Sequence, residues 1–319
     1  MKDKSIGGFI ELAVYKKSKV YHPSAIALAN GRSCFHLFLK TYKPKKVCLP
    51  FYTCNTLLEP LSVTKTPFEF YKIDTNLEPL FDKELKKGEY LLAINYLGIK
   101  NKTMLSLEKK YGSKLIIDNT QDFYNKEYKQ AMSFNSCRKF FGVPDGGYIY
   151  LKKKITQKFP QNNHFIVDHL VSRFLGKTAV YYRQFKQNES EQTNKVMCMS
   201  TLTESLLQQT DYSFIKKQRI ENFKYLHRYL SKYNQFNVDI GTIGVPYAYP
   251  FMPQKHIDRT RFYNKRIFIS TLWEDVLNRK DKNFKTEKNL SHNLLPLPID
   301  QRYDAKEMQI LINTLKPYL

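Results

Sequence analysis

The sequence predicts an α/β protein, with a large domain built on a mainly parallel central sheet between helical layers and a smaller C-terminal α/β lobe. Two observations carry this. From residue 45 onward short β-rich runs alternate with amphipathic segments, and strands separated by helices pair in parallel, with the helices lying across the sheet faces. Beyond about residue 160 that rhythm fades, and a clear strand and helix return only near the C-terminus. A chain of 319 residues has room for one large domain and one small one, and we expect 1–210 and 211–319 to be the division.

Each element has its own signal. SAIALA and then NGRS, before CFHLFLKTY, read as a strand, a turn and the opening of a helix. KKVCLP reads as a strand, FYTCNTLLEPLS as a helix beginning, and TPFEFYKID and YLLAINYLG as strands. KTMLSLEKKYG is a helix closed by Gly112, SKLIID a strand, and YIYLKK another. One long helical region is expected from about Leu202 to Tyr233. Near the end, LLPLPID reads as a strand, and Asp304 with Glu307 three residues later forms a capping-box start. Met308, Leu311, Ile312 and Leu315 then make one apolar face before Pro317.

Composition narrows the class. Hydrophobic residues at 42% and aromatics at 14% are too abundant for a disordered chain. No run approaches the ~18 apolar residues of a membrane span, and the opening MKDKSIGGFIELAVYKK carries Glu11 inside its apolar stretch, so neither export nor integral membrane contact is expected. Cys34, Cys48, Cys54, Cys137 and Cys198 form no CxxC, which supports no disulfide framework and a cytoplasmic location. The seven histidines make no HxxxH or HxH pair, so no metal is expected. The net charge of +23 is spread over KKSK, KPKK, KEYK, KKK and RKDK. That pattern favours a solvated lysine-rich surface over a nucleic-acid groove, and leaves attraction to small anions open.

Three segments fall where strands should end, which is where ligands bind in such sheets. Asn30-Gly31-Arg32-Ser33 would open a helix whose N–H groups suit a phosphate, or is an ordinary capped turn. Asp118 ends a buried strand with Gln121 three residues on; a buried carboxylate needs a partner, internal or bound. Lys139 lies in SCRKFFGVPDGG between Arg138 and two phenylalanines, a setting for a surface lysine or for a nucleophilic amine. A lysine that binds a carbonyl, a carboxylate that keeps a ring nitrogen protonated and a helix start that holds a phosphate are together the protein's share of pyridoxal phosphate chemistry.

NGRSCFHL, LPFYTCNTLLEPL, LIIDNTQDF, SCRKFFGVPDGGYIYLKK and LLPLPIDQRY resemble the DegT/DnrJ/StrS family, the pyridoxal phosphate-dependent sugar aminotransferases of fold type I. The likeness runs in order through most of residues 25 to 150 and more loosely through TLW at Trp273 and the C-terminal segment. It implies that Lys139 carries pyridoxal 5'-phosphate covalently and that Asp118 pairs with the pyridine nitrogen. Gln121 would approach the phenolic oxygen, and Gly31, Arg32, Ser33 and Ser136 would hold the phosphate. The resemblance further implies a homodimer that takes an amino group, from a donor such as glutamate, to a nucleotide-linked keto-deoxysugar for surface polysaccharide. A dehydratase of the same fold is the alternative, opposed by the lysine at 139, and a non-catalytic basic binding protein is another. The sequence departs from the family at Cys54, where an aromatic usually covers the cofactor ring, with Phe51 and Tyr52 as substitutes. It also departs in the short interval between Asp118 and Lys139 and in a 155–200 stretch without the segment that reaches a partner's site. His36 and Trp273 read as core, and Arg219 and Arg302 as either anion ligands or surface and ion-pair residues.

Overall fold

The computed structural model describes residues 12–14 and 20–319; Glu11 and most of the opening stretch lie outside them. The chain runs β1 (Ile26–Leu28), α1 (Gly31–Tyr42), β2 (Lys46–Pro50), α2 (Glu59–Val63), β3 (Phe68–Ile73), β4 (Pro79–Leu80), β5 (Glu89–Ile94), α3 (Asn101–Tyr111), β6 (Leu115–Asn119), β7 (Met132–Asn135) and β8 (Gly147–Tyr150). It continues through α4 (Asp168–Phe174), α5 (Thr178–Glu191), α6 (Thr201–Gln208), α7 (Tyr212–Leu230), β9 (Ala248–Phe251), α8 (Thr260–Tyr263), α9 (Glu274–Asn278), α10 (Lys285–Asn293), β10 (Leu295–Pro298) and α11 (Ala305–Leu315).

Eight strands form one sheet in the order β1-β8-β7-β6-β5-β2-β3-β4. The five strands from β7 to β3 are mutually parallel, while β8 runs against both β7 and β1, and β4 closes the far edge antiparallel to β3. Every residue of β6, β7 and β8 is buried, so both faces of this part of the sheet are covered, as a parallel sheet requires. The expected α/β architecture is the one observed, and its consequence for function is positional. The carboxyl ends of β1, β2, β5, β6 and β7 and the amino end of β8 all open on the same edge.

Local chemistry explains the boundaries. Asn30 caps α1 by accepting the Ser33 N–H at 2.8 Å, and Gly112 ends α3 with φ of 52°, a left-handed conformation that favours glycine. Asp304 and Glu307 make the expected capping box on α11. The helical region expected from Leu202 to Tyr233 is observed, and it divides into two helices. Asp211 accepts the Phe214 N–H at 2.9 Å and so starts α7 afresh, because a capping aspartate competes with helix continuation. Several elements had no sequence expectation: the two-residue β4, the buried β7, the α4–α5 pair, and β9 with α8, α9 and α10 in the second half of the chain.

A second antiparallel pair, β9 with β10, packs with α7 and α11 around Phe223, Leu226, Phe251, Leu297, Met308 and Leu311. The core beneath the main sheet also draws on Phe236, Met252, Leu272 and Phe284 from the second half of the chain. No described helix is long and apolar enough to cross a membrane.

Candidate active site

Three strand ends are pinned together by glycine. A Cβ on Gly31 would lie 3.2 Å from Thr120 Cγ2 and 3.8 Å from the Asn135 carbonyl oxygen, so the start of α1 rests on the ends of β6 and β7. A Cβ on Gly147 would lie 2.8 Å from the Asn135 oxygen, and Cys137 N donates to Gly146 O at 3.0 Å. The turn carrying Ser136 and Lys139 is thereby folded back beside Asn30 and Gly31. The predicted residues on α1, β6 and the β7–β8 connection therefore share one end of the sheet.

Asp118 is buried, and its Oδ1 accepts the Thr120 N–H at 2.8 Å. Burial pushes its pKa above the usual aspartate value, while the Thr120 bonds and the positive charge of Lys139 pull it back. The charge of Lys139 is thus felt at Asp118. The Lys139 Nζ lies 5.8 Å from the centroid of the Tyr247 ring, and no hydrogen bond or ion pair engages its amine among the described residues. Phe140 and Phe141, beside it, are buried in an aromatic cluster with Phe123 and Tyr148.

Gln121 is fully buried. Its Oε1 accepts the Leu97 N–H at 2.6 Å, and its Nε2 has no acceptor. Ser136 precedes the short helical turn at Cys137–Lys139 and makes no capping bond with its side chain. Ser33 and Arg32 are placed differently from a simple phosphate grip. The Ser33 hydroxyl donates to Lys195 O at 2.6 Å, and Arg32 pairs with Glu59 at 2.9 Å. What α1 offers an anion directly is the backbone N–H of its first residues, which have no intrahelical acceptor.

Internal bonds fix the residues around the site, one of which, Asp145, the sequence had not singled out. Asp145, in the PDGG turn, is buried and accepts from Asn162 Nδ2 at 2.8 Å and Ser200 N at 2.9 Å, anchoring the Lys139 loop. Arg219 is 2% exposed; it donates to Pro246 O at 3.2 Å, Tyr247 O at 3.1 Å and Gln301 Oε1 at 3.1 Å. Its guanidinium stands 4.5 Å from the Phe140 ring centroid, so it ties the second lobe to the Lys139 loop through internal bonds. Arg302 pairs with Asp300 at 2.6 Å. Phe51 stacks on Phe284 at 4.0 Å, and Tyr52 is buried 5.2 Å from Trp273, while Cys54 Sγ lies 2.8 Å from the Thr56 hydroxyl. His36 is buried with Nδ1 2.6 Å from Asn194 O.

No protein-family model matches this chain, and no curated protein matches it by sequence. Solved structures do. The sugar aminotransferase CalS13 from Micromonospora echinospora aligns over 94% of this chain and 89% of its own, with a TM-score of 0.65 at 11% identity. The fold is that of the sugar aminotransferases. The PMP form of Spr1654 from Streptococcus pneumoniae covers 94% of this chain and 87% of its own, with a TM-score of 0.67 and 12% identity. A DegT DnrJ EryC1 StrS aminotransferase from Brucella abortus covers 92% and 85%, with a TM-score of 0.61 and 13% identity.

The side chains at this edge of the sugar-aminotransferase fold suit pyridoxal phosphate on their own chemistry. Gln121 presents a buried donor that lacks an oxygen. Asp118 presents a buried carboxylate whose charge wants a bonded proton. Lys139 presents a free amine between them and the second lobe.

Proposed function

We propose that this chain is a pyridoxal phosphate-dependent aminotransferase, and the observation that carries the reading is the shared site of Asp118 and Lys139. Bound pyridoxal phosphate supplies an electron sink and a carrier for the amino group. The Asp118 carboxylate keeps a proton on the ring nitrogen, where burial strengthens their attraction. Gln121 Nε2, buried without an acceptor, would donate to the phenolic oxygen. Lys139 would hold the cofactor, and its amine would move the proton at the substrate α-carbon. Ser136 and the N–H groups at Gly31 and Arg32 hold the phosphate.

The finer reading follows from the same family likeness. The amino donor is glutamate, the acceptor a nucleotide-linked keto sugar for surface polysaccharide, and the working unit a cytoplasmic homodimer. The basic surface, +23 in net charge, suits an acceptor that carries a diphosphate. Residues 1–210 form the cofactor domain in this reading and 211–319 the smaller lobe.

Absorption spectra of wild type and Lys139→Arg, each with added pyridoxal phosphate, test the core of the proposal. The wild type is expected to show a visible band, and borohydride reduction to leave the label on Lys139 in peptide mapping. Glutamate should then bleach that band. Indistinguishable spectra for the two proteins would remove Lys139 from its role.

A further inference from the structure

Two arginines meet one glutamate beside the start of α1. Arg138, the residue before Lys139, is ion-paired with the Glu189 carboxylate near the end of α5. Arg32, the second residue of α1, donates from Nη2 to the Glu189 carbonyl at 3.4 Å, while its Nη1 holds Glu59 at 2.9 Å. Both guanidinium groups therefore lie around a single residue of α5. Each is 14% exposed at the side chain, so their mutual repulsion is poorly screened. The Arg138 Nε is buried with no acceptor at all. Arg32 has the Glu59 carboxylate and Arg138 the Glu189 carboxylate, so negative charge is matched one to one while acceptor atoms fall short at the buried Arg138 Nε. A phosphate brings more acceptor atoms, in a geometry that guanidinium matches.

The helix that supplies Glu189 is loosely held. Val180, Tyr182 and Phe185 of α5 are exposed, and the residue buried beside the glutamate is polar, Asn188. The hold of α5 on the cofactor end of the sheet is mainly polar, through Glu189 and through Gln192, which bonds Asn30 and Pro144, and polar contacts of this kind can be exchanged for others. The opposite side of the pair is fixed, because Arg138 sits in the anchored turn between Ser136 and Gly146, and Arg32 follows Gly31, which is wedged against Thr120.

We propose that Arg138, with Arg32, is a phosphate-binding residue of this site, and that the Glu189 carboxylate holds the place until a phosphate group displaces it and frees α5. This rests on the cofactor reading above, to which it adds a ligand for the phosphate and a latch. The exchange is between ion pairs, with no covalent step.

Titration with inorganic phosphate and, separately, with pyridoxal phosphate tests it in wild type, Glu189→Gln and Arg138→Lys. Glu189→Gln, which removes the competing charge, is expected to bind inorganic phosphate at least tenfold tighter than wild type, and Arg138→Lys at least tenfold weaker. Wild type alone gives an independent arm. Saturating phosphate should accelerate tryptic cleavage after the exposed Lys177, between α4 and α5, as followed by mass spectrometry. Phosphate affinity equal to or weaker than wild type in Glu189→Gln, or cleavage at Lys177 that phosphate leaves unchanged or slows, would overturn the proposal. Pyridoxal phosphate that labels Lys139 with an affinity indifferent to Glu189 and Arg138 would sink this inference alone. Phosphate binding that responds to both residues while Lys139 stays unlabelled would sink the cofactor reading and leave the phosphate site standing.

Discussion

The Leu97 N–H donates to Gln121 Oε1 at 2.6 Å, and this bond decides which end of the amide faces the site. With the oxygen committed to a backbone donor, the other end is an NH₂ group, fully buried and without an acceptor. An unmet donor at that depth costs roughly 1–3 kcal/mol, a debt that a bound oxygen removes. Gln121→Glu keeps an oxygen for Leu97 and replaces the donor with an acceptor. The variant is expected to bind pyridoxal phosphate at least tenfold more weakly, in a fluorescence titration, with the fold intact by circular dichroism. Undiminished affinity would mean that the amide does not face the cofactor.

Burial disfavours the charge of Asp118. It raises the pKa, with Thr120 and Lys139 only partly opposing. Asp118→Asn is therefore expected to leave the cofactor-free protein as stable as wild type or more so, with the gain growing as pH rises above the ordinary aspartate range. In the loaded enzyme of our proposal the same change would remove the group assigned to the ring nitrogen. Transamination is expected to fall by about 10²-fold or more, while borohydride still fixes the label to Lys139. Full activity in Asp118→Asn would exclude the proposed pairing.

The site was legible in the sequence where its signals are local, and illegible where they are not. Asn30, Gly31, Asp118 and Lys139 each belong to a short run that states its own geometry: a capped turn, a strand end, a glycine-rich return. Tyr247 is brought to Lys139 by a loop of the second lobe whose position depends on the buried bonds of Arg219, and nothing near residue 247 foretells that. The Arg138–Glu189 pair was hidden for a related reason. The inner face of α5 is polar at Asn188 and Glu189, so no apolar period marks which side packs. The break between α6 and α7 turned on a single capping bond of Asp211, too small a signal within a run of helix-compatible residues.

Backbone on two sides makes Gly147 irreplaceable. Its added Cβ would lie 2.8 Å from Asn135 O and 3.0 Å from the Asn30 carbonyl carbon. Neither can retreat without disturbing the pairing of Leu28 with Gly147. Gly147→Ala is expected to cost at least about 2 kcal/mol of stability. Gly142 lies in the same connection and has nothing within 4 Å of an added Cβ, so Gly142→Ala should stay within about 0.5 kcal/mol of wild type. Urea unfolding of both variants decides the matter, and equal losses would mean that the strand ends are not packed as described.

Asp122 is a neutral acid in waiting. Its Oδ2 accepts from Asn95 and Asn125 at 3.0 Å each, its Oδ1 has no partner, and burial pushes its pKa up to about 7 against those amide bonds. An unfolded aspartate titrates near about 3.9, so between about pH 4 and 7 the native state holds a proton that the unfolded chain has released. Stability contributed by this group is therefore fully present below about pH 4 and declines as pH rises through about 7. Asparagine mimics the protonated form at every pH. Thermal unfolding of Asp122→Asn should match wild type near pH 4 and exceed it near pH 8, by about 4 kcal/mol for a shift of this size. A difference between the two proteins that stays flat from pH 4 to 8 would mean that Asp122 ionises as an exposed aspartate does, and that the asparagine cage around it relaxes to admit the charge.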